Sequence, residues 1–121
     1  MNREIKFRAW DEVSEKMLNW NEFLNTNMKN TFIAQGNTGL ILMQYTGLHD
    51  KNGKEIYEGD IVKALISGRW LVGKVIYEHS GFTIDVMNNK ALEFGRRGII
   101  EPWTEVIGNI YDNPELLGSE E

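Results

Sequence analysis

The chain has 121 residues, of which 41% are hydrophobic and 26% charged, with 12 Gly, 2 Pro, no Cys and a formal net charge of −5. That length and apolar content support a hydrophobic core without disulfide or metal staples, and they exclude collagen-like and disordered chains. No apolar run approaches the roughly 18 residues of a membrane-spanning helix. Charge is unevenly spread: residues 1–60 carry 7 basic and 9 acidic side chains, 61–98 carry 6 and 3, and 99–121 carry 0 and 6. The middle is mildly basic and the end reads as a solvated acidic tail. A charged start and the lack of Cys lead to the expectation of a cytoplasmic protein.

Apolar and polar residues alternate with a period of two from the first residues onward, so strands are the expected building unit. Ile5-Lys6-Phe7-Arg8-Ala9-Trp10 reads as a half-buried strand with 5, 7 and 9 on one face. Met17-Leu18-Asn19-Trp20 reads as its hairpin partner after the polar turn 11–16. Residues 21–39 read as loop with one short helical piece around Phe23, Leu24 and Met28. Leu40 to Thr46 is an apolar, strand-length run ending at Gly47. Asn52-Gly53 then predicts a type I′ hairpin turn, with positive φ at both central residues, leading into Lys54-Glu55-Ile56-Tyr57.

Three consecutive strands follow: Ile61 to Ile66, Trp70 to Glu78 and Phe82 to Val86. Ile99 to Glu101 and Val106 to Tyr111 are two further strands, and Asn113-Pro114 is expected to cap and open a final helical turn through Leu117. The fold class is therefore mainly β, a β-rich α+β at most. An N-terminal β-rich segment, 1–56, is expected to pack as a layer on a C-terminal SH3-like small barrel, 57–121, in one compact unit.

Most apparent chemistry dissolves on counting. Gly68 to Lys74 matches the first seven positions of a phosphate-binding loop, but Val75 stands where a hydroxyl must meet magnesium, and Trp70, Leu71 and Val72 favour a strand. Counting a calcium loop from Asp50 puts Lys54, Glu55 and Ile61 at positions 5, 6 and 12, so the ligand set collapses. His49 and His79 form no zinc set without Cys, and no serine sits in a nucleophile elbow. Glu55, Glu58 and Asp60 read as solvated turn residues rather than an acid–base pair. No enzyme, metal or cofactor is expected.

One mixture survives as a candidate binding surface: Arg69, Trp70 and Lys74 in the barrel strands, with Arg96 and Arg97 in the loop Gly95-Arg96-Arg97-Gly98. Small barrels combine such groups to stack bases and neutralise phosphates, although aromatic residues in a domain this small mostly form its core.

Four blocks carry a resemblance: Lys6-Phe7-Arg8-Ala9-Trp10-Asp11; Met43-Gln44-Tyr45-Thr46-Gly47-Leu48; Asp50 through Val62; and Val106 through Leu117. In this order they resemble the YopX family of phage and prophage proteins. The resemblance implies a β-rich protein that self-associates and no particular chemistry. The expectation is a non-enzymatic module that binds a host or phage protein, forms a homo-oligomer and does not enter a membrane. A nucleic-acid-binding accessory role is the alternative.

Overall fold

The structure, a computed structural model, describes residues 4–25, 39–66, 68–78, 81–86, 97–98 and 100–118. It is mainly β. The chain divides into two compact units, Met1–Tyr45 and Thr46–Glu121, and the division falls inside a strand, Leu40–His49.

In the first unit β1 (Phe7–Asp11) pairs antiparallel with β2 (Lys16–Leu18), and on its other side with the first half of β3 (Leu40–His49). Register places Trp10 opposite Met17 and Ile41. The turn between β1 and β2 is tied by the Asp11 carboxylate, whose Oδ1 accepts from the Val13 and Ser14 amides at 3.0 and 3.3 Å. Helix α1 (Trp20–Leu24) starts at a capping box: Asn19 Oδ1 accepts from the Glu22 amide and Glu22 Oε1 from the Asn19 amide, each at 2.8 Å. Trp20 therefore opens a helix instead of closing the hairpin. It stacks on Phe23 and tilts against Phe7, both at 6.1 Å between centroids. The expected alternation in β1 is not clean, because Ala9 and its neighbour Trp10 are both buried and Arg8 is half-buried. The expected helical contribution of Met28 lies outside the described residues.

The second unit begins as β3 runs on past Thr46 to neighbour β4 (Glu55–Tyr57). A five-stranded antiparallel sheet follows: β5 (Asp60–Ile66), β6 (Arg69–Glu78), β7 (Gly81–Asp85), β8 (Arg97–Gly98) and β9 (Glu105–Asn109). Its order is β8-β7-β6-β5-β9, curved like half a barrel. The three-strand meander read from the sequence is present, and the last strand returns to pair with its first. Among the described residues no ladder joins the two end strands, β8 and β9. One expected strand moves: β8 is Arg97–Gly98, and Ile100 and Glu101 lie outside any strand.

Alternation decides which face is core. Val62 and Ala64 of β5, Val75 of β6 and Ile84 of β7 join Ile56, Val86 and Ile100 in one buried cluster, flanked by Leu71, Phe82 and Val106. Removing each Val or Ile side chain of this cluster from water contributes about 2 kcal/mol. The last element among the described residues is α2 (Glu115–Gly118). Asn113 does not cap this helix as expected, because its Oδ1 turns back to accept from the Asn109 amide at 3.1 Å.

Candidate functional site

The motif-rich centre of the sequence proves to be a set of ties. Asp50 is buried, and its carboxylate accepts three backbone N–H bonds: Asn52 and Lys54 to Oδ1 at 2.8 and 2.9 Å, Val106 to Oδ2 at 2.9 Å. Burial pushes this carboxyl up, but the three amides, with Lys54 nearby, outweigh burial and hold it below the ordinary value. One side chain thus shapes the hairpin and fastens it to β9. The backbone agrees: the Gly53 amide donates to Asp50 O at 2.9 Å, and Gly53 sits at φ +84°. Asn52 has no positive φ, so the loop is not the type I′ turn expected. It is the three-residue form, a turn followed by a left-handed glycine.

Asp60 corrects a second expectation. It is 1% exposed rather than solvated, and its Oδ2 accepts from the Tyr57 amide at 2.8 Å. Beside it, the buried Gly59 at φ +90° donates to Val75 O and accepts from the Ile110 amide, both at 2.9 Å. The Tyr57 hydroxyl donates to Glu55 Oε1 at 3.2 Å. These groups hold chain segments together, and among the described residues no cluster of His, Asp or Glu could hold a metal ion.

Gly73 and Lys74, the apparent phosphate-loop pair, stand in the middle of β6. A Cβ at Gly73 would lie 2.7 Å from the Asp85 carbonyl oxygen and 2.4 Å from Val86 Cγ1. Close approach to the end of β7, not a phosphate cradle, accounts for this glycine.

The face of β5 and β6 turned away from the core carries the exposed chemistry. Leu65 pairs with Trp70 and Lys63 with Val72 across the hairpin. Trp70 is 53% exposed and Leu65 38%. The Lys63 ammonium lies 5.8 Å from the centroid of the Trp70 ring, within cation–π range. Lys74, four residues along the strand from Trp70, shares this face and is half-buried, in register with Ile61 and Asp85. Tyr77 is also exposed, but belongs to the core side, edge-on to Phe82 at 4.9 Å.

Of the residues singled out in the sequence, Trp70 and Lys74 therefore come together. Arg69 is exposed at the hairpin end, on the opposite side by alternation. Arg97 stands in strand β8, its backbone paired with Asp85, rather than in a loop, and Arg96 lies outside the described residues, as does His79. Sequence reasoning missed Lys63 and Leu65. Only the pairing of β5 with β6 places them beside Trp70, with Leu65 opposite Trp70 and Lys63 opposite Val72.

The architecture and surface define a mainly β protein with a half-barrel sheet and an exposed, aromatic–aliphatic and basic strand face. The family model for YopX protein matches residues 6–118, and the chain belongs to the YopX family. It is similar to the solved structure of protein EF1440 from Enterococcus faecalis, with 25% identity, a TM-score of 0.64, and 96% of this chain and 99% of that one covered. It also shares the fold of protein yopX from Bacillus subtilis, with 24% identity, a TM-score of 0.54, and coverage of 96% and 98%. No curated protein matches the chain.

Proposed function

We propose that this protein is a non-enzymatic binding module that acts through protein–protein contact, using the outer face of the β5–β6 hairpin. The observation that carries the reading is the pairing of Trp70, 53% exposed, with Leu65, 38% exposed, on a regular strand pair. Tryptophan is the residue most enriched at the energetic centres of interfaces, and a rigid hairpin presents it at little entropic cost. The meander β5-β6-β7, with β9 returned to β5, supports reading the sheet as SH3-like. No helix among the described residues is long and apolar enough to cross a membrane. The lack of Cys supports reading the protein as cytoplasmic, and the family resemblance supports reading it as a phage or prophage protein that forms a homo-oligomer and engages a host or phage protein.

The test is affinity selection of random dodecamer peptides on the immobilised full chain, run in parallel on Trp70→Ala. Peptides enriched on the native chain and lost on the variant support the reading; enrichment indifferent to Trp70 refutes it.

A second reading, nucleic-acid binding, is favoured by Lys63 over the Trp70 ring with Lys74 on the same face. Anisotropy titration of labelled single-stranded DNA, duplex DNA and RNA at about 50 and 200 mM salt tests it, because phosphate contacts weaken steeply across that range. The net charge of −5 weighs against it.

A further inference from the structure

We infer that Asn52-Gly53 is a site of spontaneous deamidation that Asp50 holds closed in the folded chain. The pair is the sequence's one Asn-Gly step. In the reaction the Gly53 nitrogen gives up its proton and attacks Asn52 Cγ, the Cγ–Nδ2 bond breaks, and ammonia departs to leave a cyclic imide. Water then opens the imide at either carbonyl. One opening gives aspartate; the other gives isoaspartate, in which the backbone runs through Cγ. Asn is among the thermolabile residues, and a following Gly carries no side chain to shield the attacking nitrogen. Both residues are exposed here, and a Cβ built on Gly53 would meet nothing within 4 Å.

The fold withholds the nucleophile. The Gly53 N–H, whose proton must leave, is donated to Asp50 O at 2.9 Å. The amides on either side, Asn52 and Lys54, donate to Asp50 Oδ1 at 2.8 and 2.9 Å, and the Asp50 amide closes the loop onto Lys54 O at 2.8 Å. One residue therefore grips three successive N–H groups. Turning the Gly53 nitrogen toward Asn52 Cγ requires breaking this grip, so the reaction waits on local opening of the hairpin, and its rate scales with the fraction of time spent open. The chemistry also feeds back on the fold. The imide has no N–H at Gly53 to return to Asp50 O, and isoaspartate lengthens the backbone of a loop that is fastened at its base. There the Lys51 amide donates to Thr104 O and Asp50 Oδ2 accepts from the Val106 amide, both at 2.9 Å. Deamidation thus loosens the hairpin from β9.

The test incubates the full chain at neutral pH and follows Asn52 by peptide mapping with mass spectrometry, which locates the change of NH2 to OH and separates aspartate from isoaspartate. The samples are the native chain, the same chain unfolded in guanidinium chloride, Asp50→Asn and Ile84→Ala, the variants shown to be folded by circular dichroism. The native chain is expected to lose Asn52 about tenfold or more slowly than the unfolded chain. Asp50→Asn should lose it about tenfold faster than native, the equilibrium weight of one charge-assisted hydrogen bond. Ile84→Ala, weakened in the core with the Asp50 grip intact, should keep the native rate. Amide exchange at Gly53 in the native chain supplies a check that needs no variant, since the same opening exposes both reactions: Gly53 should be protected to the degree that deamidation is slowed. A native chain that deamidates as fast as the unfolded one overturns the inference, as does Asp50→Asn at the native rate or a Gly53 amide that exchanges without protection. Equal acceleration by Ile84→Ala and Asp50→Asn also overturns it, because the protection would then belong to the fold as a whole.

Discussion

Replacing Asp50 tests the claim that one buried carboxylate organises the second unit. Asp50→Asn keeps an oxygen for the Asn52 and Lys54 amides but sets an NH2 group against the Val106 N–H, so one charge-assisted bond becomes a donor–donor contact. The expected cost is about 2 kcal/mol, and Asp50→Ala, which strands all three amides, should cost about 4 kcal/mol. For a domain of this size the alanine variant should melt roughly 15 °C lower. Urea unfolding followed by circular dichroism at pH 7 measures both values. The pH dependence supplies a second check. The carboxyl is held below its ordinary value in the folded chain, so its contribution is fully present above the unfolded pKa of about 4 and is lost as pH falls through the lower folded value. The gap between native and Asn chains should therefore narrow on acidification. An alanine variant within about 0.5 kcal/mol of native at pH 7, the range of an ordinary surface change, would refute the reasoning.

Other substitutions probe other links. Gly73→Ala should destabilise the sheet by about 1–3 kcal/mol, since the new methyl meets the Asp85 carbonyl oxygen and the Val86 side chain; a native-like thermal midpoint would contradict that close approach. Ile84→Ala, at a site with 0% exposure, should cost about 3 kcal/mol in a urea titration with unchanged slope. Gly53→Ala has open space for its methyl but a φ of +84°, so a loss of about 1 kcal/mol measured by melting would reflect backbone strain alone. Trp70→Ala should change stability by less than about 0.5 kcal/mol, which separates its binding role from a folding role.

Local signals in the chain were sufficient for most of the strands and for where the chain turns, but not for the turn type at Asn52-Gly53, for β8 or for the helix that Trp20 opens. Alternation marked β5, β6 and β7, and Asn52-Gly53 marked a hairpin, because side-chain direction and the positive φ of a glycine are properties of neighbouring residues. The exclusions were also legible: a hydroxyl missing at position 75 rules out a phosphate loop whatever surrounds it. Half of the candidate face could be read, with Trp70 and Lys74 two turns of the pleat apart on one strand. Lys63 and Leu65 could not be joined to them until strand pairing set the register.

What the tertiary structure alone decided is which polar residues serve the fold. Asp50 and Asp60 look like any turn carboxylates in sequence, yet both are buried. The Val106 amide that completes the Asp50 site lies 56 residues away. Gly73 and Gly53 are the same residue for different reasons, one forced by a neighbouring strand and one by its own φ. Burial and long-range hydrogen bonding depend on what the chain brings alongside, and no local pattern carries that information. The same reason explains why Trp70, apolar and within a strand, had to be seen on its sheet before it could be placed outside the core.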